Sequence, residues 1–155
     1  MRGKQAPKRT IAPDPKFQRV DIAKFINYIM GRGKKAAAQK IVYGMFDIVA
    51  AKTKKNPTEV FDEAIKNVAP VVEVRSRRVG GGNYQIPVPV RVERRQMLAY
   101  RWIIEAARNG KGRPMQQKLA HEIMSAAEGE GAAIKKKLDI HRMAESNRAF
   151  SHFAR

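Results

Sequence analysis

Between residues 71 and 92 the spacing of apolar residues changes from helical to alternating, and it returns to helical immediately afterwards. Two runs rich in β-branched residues flank Gly80, Gly81, Gly82 and Asn83, residue types that supply turns. The pattern predicts a β-hairpin over about 71–92, inserted among helices. Pro87 and Pro89 lie two apart in its second strand, so both missing amides face the same edge and leave the other edge free to pair. That placement blunts the ribbon against recruiting further strands.

Helical spacing surrounds this insert. From Asp21, the residues Ile22, Phe25, Ile26, Ile29 and Met30 recur at three and four, and Gly31 and Gly33 break the helix. A second helix is predicted over about 34–52, where Ala38, Ile41, Val42, Met45, Ile48 and Val49 form one stripe. Asn56, Pro57 and Glu59 read as N-cap, first-turn proline and third-position acid, ahead of Val60, Phe61, Ala64, Ile65 and Val68, with Pro70 as the stop. Three more helices are expected over 93–109, 114–128 and about 132–150, the first two ended by Gly110 and Gly129. The fold class is therefore mainly α, a single domain of about six helices with a β-hairpin ribbon. It occupies residues 20–155, and residues 1–19 form a basic amino-terminal arm.

The arm carries Arg2, Lys4, Lys8, Arg9, Lys16 and Arg19 against Asp14 alone, and Pro7, Pro13 and Pro15 prevent a regular helix. Over the whole chain, 32 Lys and Arg against 14 Asp and Glu leave a formal net charge of +18. So large an excess opposes compaction by self-repulsion and is best accommodated by a polyanion, because cations that neutralise phosphates also release condensed counterions. Nucleic acid is the leading partner class. No apolar run approaches the roughly 18 residues of a spanning helix and no signal-peptide pattern opens the sequence, so no membrane partner and a cytoplasmic location are expected. Cysteine is absent, which removes disulfides and thiolate zinc sites.

Six arginines mark the ribbon. Arg75, Arg77 and Arg78 lie on its first strand, and Arg91, Arg94 and Arg95 return where the second strand leads into the next helix. A two-stranded basic ribbon can follow phosphates and present its tip to a groove or a single strand. Lys34 and Lys35 follow Gly33 at a helix start, where free amides and ammonium groups together suit a phosphate, although ordinary surface lysine is an equal reading. The nucleotide-triphosphate loop is excluded there: Tyr28 replaces the required first glycine, and Lys35 stands where Ser or Thr would hold magnesium. Lys135, Lys136 and Lys137 sweep one turn of the last helix, with Arg142 and Arg148 further along, as a third contact region. His121, His141 and His152 lack ligand spacing, and the acid pairs Asp62-Glu63 and Glu128/Glu130 are explained by charge balance, so no catalytic site, metal or cofactor is expected. Trp102 reads as core, and Tyr84 beside the glycines as the better candidate for base stacking.

The run Arg75-Ser76-Arg77-Arg78-Val79-Gly80-Gly81-Gly82-Asn83-Tyr84-Gln85-Ile86-Pro87 closely resembles the hairpin motif of the bacterial small-subunit ribosomal protein seven family. Met143-Ala144-Glu145-Ser146-Asn147-Arg148-Ala149-Phe150-Ser151-His152 is similar to its carboxy-terminal motif, and Asp14-Pro15-Lys16-Phe17, Gly33-Lys34-Lys35 and Arg101-Trp102-Ile103 fall in the family's order. Departures stand at Arg32, at Pro89 and at Phe153-Ala154-Arg155. The resemblance implies a non-catalytic primary binder of small-subunit ribosomal RNA that organises the three-prime major domain and nucleates assembly of the subunit head. It also implies a place at the subunit interface, near exit-site transfer RNA and the messenger exit path and touching ribosomal proteins nine and eleven. Carried over by position, Lys34, Lys35, Arg75, Arg77, Arg78, Arg94, Arg95, Arg101, Lys135, Lys136, Lys137 and Arg142 become ribosomal-RNA candidates. The arm cations Arg2, Lys4, Lys8 and Arg9 join them. Gly80, Gly81, Gly82, Asn83, Tyr84, Gln85 and Arg148 become candidates for proximity to transfer or messenger RNA.

Overall fold

The computed structural model describes residues 3, 6, 7 and 9–154, so Arg2, Lys4 and Lys8 of the arm lie outside the described residues. The described chain is mainly helical with one antiparallel hairpin, as the periodicity predicts. It divides into two compact units, one ending at Lys40 and one beginning at Ile41, and the division falls inside a helix.

In the first unit a buried acid organises the end of the arm. Asp14 is 2% exposed, and its Oδ2 accepts from the amides of Lys16 at 3.1 Å and Phe17 at 3.2 Å, closing a turn through Pro15. Helix α1, Val20–Ile29, follows and buries Ile22, Phe25, Ile26 and Ile29 of the expected stripe together with Ala23, while Met30 caps the helix half-buried. Asp21 in its first turn receives the Arg19 guanidinium. Burial raises the Asp21 carboxyl, but the hydrogen bond and charge of Arg19 outweigh it and hold the group below the usual range. The break after α1 is made by Arg32 at φ +53° and Gly33 at φ +73°, and Gly31 takes no left-handed conformation. Helix α2, Lys35–Thr53, begins directly after it.

The second unit holds the remainder of α2, with Val42, Met45, Phe46 and Val49 buried. Helix α3, Pro57–Val68, starts as its sequence demands: Asn56 Oδ1 accepts the Thr58 amide at 3.1 Å and Pro57 occupies the first turn. Phe61 lies edge-on to Phe46, centroids 5.7 Å apart, and stacks with Tyr100 at 6.4 Å. Tyr100 belongs to α4, Val92–Asn109, which also buries Trp102 and Ile103. Helix α5, Met115–Ala127, packs between α3 and α4, and α6, Ala132–Ser146, closes the unit. Two polar residues tie these helices together. Asn67 Nδ2 donates to the carbonyls of Ala126 at 3.1 Å and Ala127 at 2.9 Å, satisfying the end of α5. Buried Glu122 accepts the Ala133 amide at 2.8 Å and thereby caps α6 from a neighbouring helix.

The hairpin pairs β1, Val72–Val79, with β2, Gly82–Pro89, from Val72 opposite Pro89 to Val79 opposite Gly82. The connection is tighter than the glycine cluster suggests. Gly80 and Gly81 alone form it, at φ +56° and +92°, the left-handed pair that matches strand twist, while Gly82 and Asn83 already belong to β2. The Val90 amide donates to Val71 O at 2.9 Å, which fixes the parity of the ladder. Pro87 and Pro89 then turn their missing donors outward, as predicted. The last expected helix, 132–150, is instead two pieces: α6 ends at Ser146 and a 3-10 helix runs Arg148–Ala154. Ser146 Oγ and Asn147 Nδ2 donate to the carbonyls of Arg142 and Met143, at 3.0 and 2.8 Å, alongside the Asn147 amide, which also donates to Met143 O at 3.1 Å where the helix ends.

Candidate nucleic-acid interface

Side chains alternate along a strand, so Glu73, Arg75 and Arg77 share one face of the ribbon and Arg78 projects from the other, opposite Asn83. Arg75, Arg77 and Arg78 are all exposed. They differ in what holds them.

Glu73 is the buried residue at the ribbon's base, 7% exposed. Its Oε1 accepts from Arg75 Nε at 2.6 Å and is also paired with Nη2 of the same guanidinium. Its Oε2 accepts from Arg94 Nε at 2.7 Å. Burial pushes the carboxyl up, yet the hydrogen bonds and charges of Arg94 and Arg75 together bring it below the usual range, so it is ionised at neutral pH. Arg94 is on the first turn of α4, and one carboxylate therefore joins ribbon and helix. Arg95 Nε donates to Val90 O at 2.9 Å and fastens the same corner from the other side. Arg91 is exposed at the helix start, beside the exposed apolar Val92.

Nearer the tip, Arg77 Nη1 donates to Phe153 O at 2.8 Å. The Tyr84 ring lies 5.1 Å from that of Phe150 and 6.0 Å from that of Phe153. The structure thus places Tyr84 half-buried under the 3-10 helix, while Gly80, Gly81, Asn83 and Gln85 are exposed and Gly82 rests against the Tyr84 ring. Arg148 is exposed at the start of the 3-10 helix and borders an apolar recess of about 510 Å³ with Val72, Pro87, Pro89 and His141.

The lysine run of α6 divides by partner. Lys136 pairs with Glu105 at 2.6 Å, Lys137 donates to Asn67 O at 2.6 Å at the end of α3, and Lys135 is exposed, as are Arg142 and, on α4, Arg101. Lys111, Arg113, Lys118 and His121 surround a separate basic recess of about 250 Å³ between α4 and α5, which residue spacing did not single out. In the first unit Arg9, Lys34 and Lys35 are exposed, the two lysines at the start of α2, whose first turn carries no acid. His141 Nε2 accepts the Val71 amide at 3.3 Å, and burial together with the charge of Lys137 lowers its pKa. Among the described residues no group of His and acids is placed to hold a metal ion, and no helix is long and apolar enough to cross a membrane.

Sequence reading missed Glu73, Phe150 and Phe153 as organisers of the ribbon. For Glu73 the signal was present: an acid two residues before an arginine on a strand lies on the same face as that arginine. For the two phenylalanines there was none, because their spacing suits a helix.

Residues 1–148 match the protein-family model described as ribosomal protein S7p/S5e. The chain is 61% identical over 153 residues to the small ribosomal subunit protein uS7 of Thermotoga maritima, covering 99% of each. It is 57% identical over 152 residues to uS7 of Azoarcus sp. strain BH72, covering 98% of this chain and 97% of the relative. With uS7 of Teredinibacter turnerae it shares 56% over 146 residues, 94% of each.

Proposed function

The chain belongs to the ribosomal protein S7p/S5e family, and from that membership we propose that it is a primary binder of small-subunit ribosomal RNA that nucleates assembly of the subunit head. The family is non-enzymatic, and the protein is a structural component of the small ribosomal subunit in the cytoplasm. The near full-length likeness to curated small-subunit proteins carries the reading. The chemistry of the ribbon supports it: Arg75 and Arg94 are held on one carboxylate with side chains that remain partly exposed, Arg91 and Arg95 stand at the same start of α4, and Arg78 is exposed on the opposite face of the ribbon. Guanidinium groups fixed in this manner suit bidentate contact with phosphate oxygens. A primary binder must recognise an RNA surface before other proteins arrive, and rigid arginines lose less freedom on doing so than mobile ones.

The division of the ribbon into a charged base and an uncharged exposed tip supports two tasks. The base anchors ribosomal RNA of the three-prime major domain. The tip, with Gly80, Gly81, Asn83 and Gln85, approaches exit-site transfer RNA and the messenger path, and ribosomal proteins nine and eleven are the expected neighbours. Tyr84 enters this reading as the residue that braces the tip on the 3-10 helix.

Footprinting on small-subunit ribosomal RNA tests the proposal, with duplex DNA as competitor. Protection confined to the three-prime major domain and resistant to a tenfold mass excess of DNA is the expected result. Protection spread evenly, or abolished by DNA, would instead identify a shape-indifferent polyanion binder.

A further inference from the structure

We propose that Glu73 is a positioning residue for RNA binding: its buried carboxylate holds Arg75 and Arg94 side by side, so that this acid strengthens the hold on a polyanion. The inference rests on the reading of the chain as a ribosomal-RNA binder. It is carried by geometry. Glu73 belongs to β1 and Arg94 to α4, 21 residues later, and both carboxylate oxygens are engaged, one by each guanidinium. The Glu73 side chain is 9% exposed, whereas those of Arg75 and Arg94 are 57% and 42% exposed, so the acid is inside and the cationic edges are outside.

Two guanidinium groups brought this close repel one another, and without the carboxylate each would seek a separate, solvated position. A buried ion pair of this kind is weak evidence for stability, because apolar residues of similar volume often serve as well. What the carboxylate supplies is orientation. With Nε of each arginine and Nη2 of Arg75 committed to the carboxylate, the remaining guanidinium nitrogens belong to side chains that are 57% and 42% exposed and form a fixed donor edge. A phosphate backbone laid along that edge meets donors already in place, and the rotamer freedom of two long side chains has been lost before RNA arrives.

The consequence runs against simple charge counting. Replacing an acid in a protein of formal net charge +18 raises its attraction for RNA if Glu73 is only a counter-charge. If Glu73 positions the arginines, the same replacement weakens binding. Glu73→Gln is the decisive variant, since its amide oxygen can accept from one guanidinium while its NH2 group, a donor, faces the other.

The experiment measures affinity for a transcript of the three-prime major domain of small-subunit ribosomal RNA, using the full chain. Wild type should bind. Glu73→Gln should bind about tenfold more weakly, and in an Arg75→Ala/Arg94→Ala background the same change should have an effect below about twofold. Nuclear magnetic resonance of the free protein adds a readout without RNA: the Nε–H signals of Arg75 and Arg94 should be protected from exchange in wild type, with at least one lost in the variant. Should Glu73→Gln fail to fold, Glu73→Asp keeps the charge but withdraws the carboxylate, and about threefold weaker binding is expected. Equal or tighter binding by a folded variant, or an undiminished effect in the double-alanine background, overturns the proposal. Failure of wild type to bind the transcript would remove the functional reading itself, and this inference with it, whereas binding by wild type with no loss in the variants removes the inference alone.

Discussion

At the scale of single residues, most of the predicted contact positions are cations, and the sequence shows where they are but not what they touch. Arg77, Lys136 and Lys137 each donate to a partner within the chain that is 76, 31 and 70 residues away. No local pattern encodes such pairing, because it depends on which elements become neighbours. Histidine gives the corresponding pH test. His141 accepts the Val71 amide through Nε2, which requires a neutral ring, and burial and Lys137 lower its pKa below the ordinary value of 6.5. A histidine with a depressed folded pKa contributes stability that is present above the unfolded pKa and is lost as pH falls through the folded one. The protein is therefore expected to lose stability as pH drops below about 6.5, ahead of the window in which Glu73 protonates, which lies below the ordinary carboxylate range. In His141→Gln, whose amide oxygen can accept the same bond, this upper step should vanish while the acid limb persists. Urea midpoints at pH 7.5, 6.0 and 5.0 for both proteins decide it, and identical profiles would show that His141 does not titrate in the transition.

At the scale of elements, the hairpin was legible down to its parity because strand alternation, turn glycines and paired prolines agree with one another. The carboxy-terminal end was not. Residues 132–150 have helical spacing throughout, yet the Ser146 and Asn147 side chains add bonds to the Arg142 and Met143 carbonyls where α6 ends, and Phe150 and Phe153 turn onto Tyr84. The 3-10 helix thereby clasps the ribbon by two aromatic contacts and by Arg77 on Phe153 O. A two-stranded ribbon is marginal by itself, so its order in the free protein depends on such cover. Changing Phe150 and Phe153 together to Ala removes the aromatic contacts and should cost about 1–3 kcal/mol, below the full core value because both rings are only half-buried. The loss should be local. Amide exchange in β2 from Tyr84 to Ile86 is expected to accelerate strongly, with α3 and α5 protected as before. Uniform acceleration over the whole chain would mean that the clasp supports the fold rather than the ribbon.

At the scale of the whole molecule, charge was the plainest property of the sequence, and the division of the chain was the least legible. The boundary after Lys40 lies within α2, where composition marks no change and the helix's glycine, Gly44, falls beyond it. The formal charge of +18 has a consequence that separates the free protein from its complex. In the free chain, cations outnumber acids more than twofold, so repulsion between them opposes folding. Added sodium chloride shortens the Debye length from about 10 Å at 0.1 M to about 3 Å at 1 M, relieving that repulsion more than it weakens close pairs such as Glu73 with Arg94. Thermal stability should therefore rise with salt, by about 2–4 °C for each 1 kcal/mol gained in a chain of this size. Binding to ribosomal RNA should move the other way, its log affinity falling with log salt by about 0.7 to 0.9 for each phosphate neutralised. Melting curves and binding isotherms over one chloride series test both slopes at once. A melting temperature that falls with salt would show that surface ion pairs outweigh the net repulsion, and the excess charge would then owe nothing to an absent polyanion. Opposite slopes would mean that the charge which burdens the free chain is the charge that RNA relieves.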